Sequence, residues 1–265
     1  MSIRALSTAS TGMTAMQAEI DVVANNLANV NTTGFKRMRA NFHDLFYQHV
    51  RRVGTGSASG SQLPSGIQMG HGVKLVGTDR MFTQGPMTAT DRELDVALDG
   101  DGFFQVRQID GTTIGYTRDG TIHRDRDGNL VNNQGLFFEP ALRVPAEVTR
   151  ITISQSGLVQ GFDPANPTTP VDIGQIEIAR FPNPEGLLAI GENLFLETPG
   201  SGSPEVGNPG ENGRAIIQQG FLEASNVESV RELTDMIKTQ RAFELNSSTI
   251  QTADEMLQRL ANLRR

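Results

Sequence analysis

The stretch VVANNLANVNTTGFK, residues 22–36, combines a helical apolar stripe with an unusual density of asparagine. Val23, Leu27 and Val30 recur at intervals of four and three residues, as on one side of an α-helix. Asparagine is a poor helix former, because its side-chain amide competes for nearby backbone groups. The stretch therefore predicts a helix whose amides either pack against neighbouring helices or mark the helix end.

On a helical wheel, these amides lie away from the apolar stripe. Asn25 and Asn29 are separated from the stripe by a large angle around the helix axis, and Asn26 lies at the edge of the stripe. Uncharged amides can be buried between helices at a lower cost than carboxylates, so we expect Asn25 and Asn29 to pack among neighbouring helices. For Asn31 we expect a position near the C-terminal turn of the helix.

The apolar stripe continues towards the N-terminus as a heptad seam. After a gap at Ala9 and Ser10, its steps alternate between three and four residues. Gly34 is a suitable helix stop, and a second helical piece is predicted through Phe42, Leu45 and Phe46, fading at Val50. The seam consists of Ile3, Leu6, Met13, Met16, Ile20, Val23, Leu27 and Val30.

The segment EASNVESVRELTDMI, residues 223–237, opens a second helix. Ser225 and Glu228 have the spacing of a capping box, which predicts a helix start near Asn226. Neither glycine nor proline occurs over residues 226–265, so the helix should be continuous. Its stripe is interrupted at Asn246 and Ser247 and consists of Met236, Phe243, Ile250, Ala253, Leu257 and Leu260.

Between the two ends, the apolar period changes from about 3.6 to 2. The segments FFQVRQ, TIGYTR, NLVNN, RITIS and GQIEIARF alternate or are rich in β-branched and aromatic residues. Asp-Gly pairs at 110–111, 119–120 and 127–128 predict hairpin turns. The sequence therefore predicts an antiparallel β-domain over residues 94–196.

The predicted fold class is α+β, with N- and C-terminal helices forming a coiled-coil terminal domain and an antiparallel β-domain inserted between them. Two stretches rich in Gly, Ser and Pro flank the β-domain and predict linkers or mobile loops. They are GTGSASGSQLPSGIQMGHG, residues 54–72, and ETPGSGSPEVGNPGENG, residues 197–213. The predicted divisions are an N-terminal helical segment 1–46, an extended linker 47–93, the β-domain 94–196, a linker 197–215 and a C-terminal helix 216–265.

Each terminal helix carries only one apolar stripe. Ordering a backbone costs about 1–2 kcal/mol per residue, whereas each buried apolar side chain returns about 1.5–3 kcal/mol. A lone terminal helix is therefore marginal in water. We expect the ends to be loose in the free chain and to become ordered when several copies pack together, leaving a β-core that folds without residues 1–35 or 226–265.

The composition excludes several classes of function. Thirty acidic and 23 basic residues give a net charge of −7 without a basic block, which argues against a nucleic-acid partner. The absence of cysteine excludes disulfides and thiolate chemistry. The N-terminus lacks the apolar run of a signal peptide, and no stretch is long enough to span a bilayer, so membrane insertion is not expected.

No catalytic or metal-binding pattern is found. The loop at 125–129 places its glycine fourth and lacks a glutamate twelfth, so a turn is preferred over a calcium site. His43, His49, His71 and His123 lack the spacing of zinc ligands, and we expect His43 and His49 on a solvated helix face. We therefore predict no enzyme, no cofactor and no metal.

Three separated motifs resemble the bacterial flagellar rod and hook (axial) proteins. ANNLANVNTTGFKR (24–37) is similar to their N-terminal signature, and LDVALDGDGFFQV (94–106) to the opening of their middle domain. Residues 219–260 are similar to their C-terminal signature. The overall length, and FHDLFYQHVRR followed by LPSGIQMGHGV, most resemble the distal rod members of that family.

The resemblance implies a structural subunit of a hollow, torque-transmitting shaft in the flagellar basal body. In that family the terminal helices form an inner coiled-coil layer around a channel, with the β-domain outside. The implied location is the rod that crosses the periplasm, reached without a cleaved signal peptide. The implied partners are further copies of the chain, proximal rod subunits, hook or hook-junction subunits, the peptidoglycan and outer-membrane rings and the flagellar type III export apparatus.

The resemblance also implies which residues form subunit interfaces. In the first motif they are Asn25, Asn26, Leu27, Asn29, Gly34 and Phe35; in the last they are Asn226, Val227, Glu228, Met236, Arg241, Ala242 and Asn246. The apolar seams add Leu6, Met13, Met16, Ile20, Val23, Val30, Phe243, Ile250, Leu257 and Leu260.

Alternative functions remain open at this stage. One is a hook-type protein of the same family. A second is a monomeric, non-catalytic binding module whose terminal helices pair within one molecule, and a third is a calcium-dependent adhesin. Concentration-independent helicity would favour the binding module, and a calorimetric calcium response would favour the adhesin.

Overall fold

The computed structural model describes residues 2–51, 66–163 and 166–263. The described chain has an α+β fold with two long helices and twenty strands. It divides into two compact units. The helix unit contains residues 1–28, 38–79 and 228–265, and the strand unit contains residues 29–37 and 80–227.

The helix unit is built on α1 (Ser2–Ala28) and α2 (Ser229–Leu263), which pack against each other. Four strands complete it, with β1 paired to β4 and β2 paired antiparallel to β3. These strands are β1 (Met38–Asp44), β2 (Tyr47–Arg51), β3 (Ile67–Gly70) and β4 (Val73–Arg80).

The strand unit begins with β5 (Met87–Ala89), β6 (Val96–Asp99), β7 (Phe103–Arg107), β8 (Ile114–Thr117), β9 (His123–Arg124), β10 (Leu130–Val131), β11 (Phe137–Glu139) and β12 (Arg150–Ile153). It continues with β13 (Leu158–Asp163), β14 (Asn166–Gln175), β15 (Ile178–Arg180), β16 (Leu188–Gly191), β17 (Leu194–Leu196), β18 (Glu205–Gly207), β19 (Ile216–Gln219) and β20 (Phe221–Glu223).

The sheets of the strand unit are antiparallel wherever a register is described. The largest has nine strands, in the order β16-β17-β8-β7-β11-β10-β9, with β15 bridging β7 and β18. A three-stranded sheet β12-β13-β14 and the pairs β6–β19 and β5–β20 accompany it.

Two apolar clusters fill the strand unit. The larger consists of aliphatic side chains with Phe104 and Phe138. The smaller is aromatic, and its rings Phe103, Phe181 and Phe195 contact one another or Phe82 edge to face. Such ring pairs contribute beyond the area that they bury.

The strands predicted from the five alternating segments are confirmed. FFQVRQ, TIGYTR, NLVNN, RITIS and GQIEIARF contain β7, β8, β10, β12 and β15. Asp110-Gly111 joins β7 to β8, and Asp127-Gly128 joins β9 to β10, as hairpins. The loop at 125–129, for which a turn was preferred over a calcium site, is therefore a hairpin turn.

The third Asp-Gly pair, at 119–120, does not form a hairpin. β8 pairs with β7 and β17, whereas Gly120 lies beside β6 and its carbonyl oxygen accepts from the Val96 amide at 3.0 Å. A Cβ at Gly120 would overlap the Val96 carbonyl oxygen. The glycine is thus required for close backbone approach rather than for a two-residue turn.

The helical predictions at the N-terminal end are partly wrong. α1 ends at Ala28, so Val30 and Asn29 lie beyond it, in a turn closed by a hydrogen bond from the Thr32 amide to the Asn29 carbonyl at 3.2 Å. The helical piece predicted over 42–46 is also wrong, because β1 occupies Met38–Asp44 and pairs with β4. Pairing with a distant strand overrides a short local helical pattern.

Other local expectations also need correction. His43 and His49 are exposed on strands and not on a helix. α2 begins at Ser229 and not near Asn226, because Ser225 accepts from the Val227 amide instead of capping the helix. The stretches predicted as linkers contain strands: β2–β5 lie within 47–93, and β18 lies within 197–215. The segment 216–223, expected to be helical, forms β19 and β20. Most of the stretch 54–72 falls outside the described residues.

Candidate functional site

The two helices of the helix unit form an antiparallel pair. The buried amide of Asn26, near the end of α1, donates to Glu232, near the start of α2, at 3.1 Å. Gly12 faces the side-chain amide of Asn246, which a Cβ at position 12 would approach to 3.0 Å. Later residues of α1 thus contact earlier residues of α2, which makes the pair antiparallel. Gly12 is the small residue that leaves space for the Asn246 side chain.

The side-chain amide of Asn26 makes several hydrogen bonds within the helix unit. Besides its bond to Glu232, it accepts from the Met38 amide and donates to the Met38 carbonyl, both at 2.8 Å. Neither Asn26 nor Glu232 has exposed surface. Asn25, by contrast, is exposed, so its predicted packing among neighbouring helices stays a prediction.

A like-charged pair lies between the helices. Partial burial, and secondarily the nearby carboxylate of Asp235, raises the pKa of Glu19 above its usual value. The charged form of Glu19 is therefore less stable in the helix pair than it is in water.

The predicted seam residues lie mostly on the sides of the helices that are covered within the chain. Val23 is buried, whereas Arg241 and Glu228 are exposed. The half-buried members are Leu6, Met13, Met16, Ile20, Leu27, Met236, Ala242, Phe243, Asn246, Ile250 and Leu257. The side chain of Leu260 falls outside the described residues.

A second apolar stripe on α2 faces away from α1 and was missed by the sequence analysis. On a helical wheel it lies opposite the buried side that carries Glu232, Thr239 and Ala253. Its exposed fractions reach 69% at Val230 and 70% at Leu245. We call this surface the outer stripe; it consists of Val230, Leu233, Ile237, Leu245 and Met256.

The outer stripe had a visible sequence signal. Val230, Leu233 and Ile237 are spaced by three and four residues, as are the members of the seam that was predicted. The stripe through Met236, Phe243 and Ile250 continues further along the helix, and it was therefore predicted as the one apolar side of α2. The exposed side of α1 is different, since it carries small or polar residues such as Ser10, Thr14, Gln17 and Ala24.

The remaining motif residues meet inside the strand unit. The Gly34 amide donates to the Glu223 carbonyl at 2.8 Å, and the Arg37 amide donates to Oδ1 of Asn226 at 2.7 Å. The Asn226 amide group also donates to the carbonyl oxygens of Met81 and Thr83 at 2.8 and 3.0 Å. We call this arrangement the motif clamp; it consists of Gly34, Phe35, Lys36, Glu223 and Asn226.

The motif clamp is mostly buried. Gly34, Phe35 and Val227 are buried and Asn226 is half-buried, so these predicted interface residues are largely covered within one chain. Asn29 and Val30, in the preceding turn, are half-buried. Their predicted interface role stays a prediction.

The clamp includes a buried charge cluster that no local sequence pattern indicates. Oε1 of Glu223 lies 2.6 Å from Nζ of Lys36, and Oε2 lies 3.4 Å from Nη1 of Arg118. All three side chains are at most 2% exposed. Burial, and then the positive charge of Arg118, lowers the pKa of Lys36 below its usual value, and burial likewise lowers the pKa of Arg118.

Within the described part of the chain, no three His, Asp or Glu side chains gather as metal ligands. Over the same residues, neither helix has an apolar stretch sufficient to cross a bilayer.

Three family profiles match the chain in order. Residues 6–36 match a family described as "Flagella basal body rod protein". Residues 97–161 match "Flagellar hook protein FlgE/F/G D1 domain", and residues 218–263 match "Flagellar basal body rod FlgEFG protein C-terminal".

Individual proteins are similar over almost the whole length. The chain is 49% identical to the flagellar basal-body rod protein FlgG of Borreliella burgdorferi, over 99% of both chains. It is 47% identical to the protein of that name from Buchnera aphidicola, over 96% of both chains. The Caulobacter vibrioides protein of that name is 46% identical, over 99% of this chain and all of its own length.

Proposed function

We propose that this chain, which belongs to the family of flagellar basal-body rod proteins, polymerises through its terminal helices into the distal rod. Membership makes it a structural subunit of the basal body and not an enzyme. How the subunits assemble is our proposal. We propose that the helix pair is a coiled-coil terminal domain and that the strand unit is a β-domain inserted between the two helices.

The outer stripe is the observation that carries this proposal. α2 already covers one apolar side against α1, whereas its second apolar side is exposed among the residues that the structure describes. Val230, Leu233 and Ile237 are neighbours on this side of the helix, and exposed apolar patches of this kind mark interaction sites. The occupant that we propose is the small, polar side of α1 in a neighbouring copy, since small residues allow close helix approach.

The same observation separates the rod subunit from the monomeric binding module. Pairing of the helices within one chain is compatible with both functions. An outer stripe along α2 is expected only where the helix is surrounded by others. The hook-type alternative is less well supported, because near-full-length relatives are named rod proteins.

The proposed partners follow from that place in the flagellum. We propose proximal rod subunits on one side, hook or hook-junction subunits on the other, and the ring proteins of the peptidoglycan and outer membrane around the rod as it crosses the periplasm. The interface roles predicted for the motif residues, and export by the type III apparatus without a cleaved signal peptide, are part of the same proposal.

Replacing one residue of the outer stripe tests the assembly. Ile237, which is 53% exposed, should become buried on polymerisation. Burial of such a side chain is worth about 1.5–3 kcal/mol, so Ile237→Gln should raise the critical concentration for rod formation by at least about tenfold. Sedimentation and electron microscopy measure the polymer, and circular dichroism checks the monomer.

Ile109→Gln is the matched control. Ile109 is 95% exposed at a hairpin tip of the strand unit, so the same chemical change is made away from the helices. It should leave the critical concentration unchanged. Rods that form equally well from the Ile237→Gln chain would contradict assembly through the outer stripe.

A further inference from the structure

The strand unit contains a cavity of about 130 Å³, and its wall includes Arg118, which pairs with Glu223 of the motif clamp. Aromatic rings form much of its wall, and two guanidinium groups and one carboxylate supply its charge. The residues used below are Phe82, Phe103, Phe181, Arg118, Arg180 and Asp101.

Arg118 is buried with one donor unused. Its side chain is only 2% exposed, and Nη1 and Nη2 donate to Glu223 at 3.4 Å and to the Gly100 carbonyl at 2.8 Å. Its Nε finds no hydrogen-bond partner anywhere in the described chain. A buried unsatisfied donor is uncommon in native proteins and calls for an explanation.

The charges around the cavity do not balance. Glu223 is one carboxylate shared by the cations Lys36 and Arg118. Arg180 adds a further cation at the cavity wall, and its Nη1 donates a long hydrogen bond of 3.4 Å to the Asn212 carbonyl. Asp101 adds a carboxylate to the wall. The cavity wall itself thus has two guanidinium groups and one carboxylate, and Glu223 behind it is shared with Lys36, so the wall carries an excess of positive charge.

We propose that this cavity binds a carboxylate group, which accepts hydrogen bonds from Nε of Arg118 and from the guanidinium of Arg180. Guanidinium groups match carboxylates in shape and charge. The rings of Phe82, Phe103 and Phe181 restrict water around such a pair, which strengthens its electrostatic attraction.

The carboxylate has two conceivable sources with the same chemistry. One is a small free monocarboxylate, and the other is an Asp or Glu side chain of a neighbouring subunit. Only the second source rests on the proposed polymerisation. The site in the single chain does not depend on it.

The test uses the full-length, unpolymerised chain and acetate as the probe. The Arg118 Nε–H resonance is followed by NMR during titration with sodium acetate at constant ionic strength, with chloride as the counter-titrant. We expect a saturable shift of this resonance with acetate. An Arg118 Nε–H resonance that acetate does not shift would overturn the proposal.

A variant locates the second donor. Arg180→Gln removes the half-buried guanidinium at the cavity wall and should weaken acetate binding by about tenfold or more, the range for a charge-assisted hydrogen bond. Arg107→Gln is the control, because Arg107 is an exposed arginine of the same unit that pairs with Glu139 outside the cavity. It should leave the acetate affinity unchanged, and equal affinities for all three chains would count against the assigned donor.

Assembled rods distinguish the two sources. If a neighbouring side chain fills the cavity, solid-state NMR of rods should show the shifted Arg118 resonance without acetate. If the natural occupant is a free acid, the rods should respond to acetate as the monomer does. A chain that fails to polymerise would contradict the proposed assembly and leave the monomer titration intact.

Discussion

Gly34 shows how a single residue of the first motif is fixed by tertiary contact. Its φ of +66° lies in the left-handed region that favours glycine. A Cβ there would come within 2.7 Å of the Arg118 carbonyl carbon. Conformation and space both require glycine, although Gly34 does not end α1 as the sequence suggested.

Gly34→Ala should destabilise the strand unit strongly. The positive φ alone costs about 1–2 kcal/mol, and the backbone overlap with Arg118 should bring the loss to about 3–5 kcal/mol. Urea denaturation of the monomer measures it. Gly111→Ala is the matched control, since Gly111 has φ of +73° and open space around it. Equal losses for the two variants would show that the contact with Arg118 is unimportant.

Asn26→Ala should destabilise the helix unit. It removes the bonds to both backbone groups of Met38 and leaves buried Glu232 without its amide donor. We expect a loss of about 2–4 kcal/mol in the free energy of unfolding. Gln17→Ala, at an exposed position of the same helix, should change it by less than about 0.5 kcal/mol. A loss at Asn26 no larger than at Gln17 would contradict an internal role.

At the scale of elements, α2 has two apolar sides that differ in their exposure to solvent. The seam that contains Phe243 and Ile250 lies half-buried in the helix unit, and the outer stripe is exposed. A sequence pattern identifies apolar sides but does not say which neighbour covers each. In this chain, the longer seam lies in the covered part of the helix pair, and the shorter outer stripe is exposed and is the surface through which we propose assembly.

Acid should strengthen the helix pair through Glu19. Burial and Asp235 raise the pKa of Glu19 in the folded chain above the unfolded value. The folded chain therefore binds more protons between those two pKa values, and its stability falls as pH rises through this window. Thermal unfolding measured from pH 4 to 7 should show this slope.

Glu19→Gln should remove the slope that Glu19 contributes and stabilise the helix pair at neutral pH. Asp235→Asn should reduce that slope only in part, because burial is the larger cause of the shift. If the pH dependence of unfolding were the same in the Glu19→Gln chain, the raised pKa of Glu19 would have no effect on stability.

At the scale of the whole molecule, chain order and compact units do not coincide. The segment after α1 and the segment before α2 both belong to the strand unit. Lys36 in the first segment and Glu223 in the second form a buried ion pair there. A β-core cut at residue 35 or 94 would therefore lose part of its own interior.

A fragment of residues 29–227 should fold and stay monomeric, because it keeps the motif clamp and lacks both helices. A fragment of residues 38–227 should be markedly less stable, since it loses Phe35 and Lys36 and leaves Glu223 with Arg118 as its ion-pair partner. Thermal unfolding compares the two. Equal stability would contradict the role of the clamp, and rods formed by the 29–227 fragment would contradict assembly through the helices.

Long periodic segments were predicted well. α2 is continuous over Ser229–Leu263, and the alternating segments form strands, because a period of 3.6 or 2 sustained over many residues admits one regular structure. Short segments were not. Residues 42–44 lie in β1, because pairing with the distant strand β4 overrides a short helical pattern, and Ser225 accepts from the nearby Val227 amide instead of capping a helix.

The sequence by itself determined the α+β class, the two long helices, most strands of the middle and the family, since all of these depend on periodicity and local motifs. Only the tertiary structure decided that Asn26 pairs with Glu232, that Gly34 meets Arg118 and that Lys36 is buried against Glu223. The tertiary structure also decided that the outer stripe is exposed among the described residues. Such contacts join residues far apart in the chain, and burial of a charge depends on partners that no local pattern encodes.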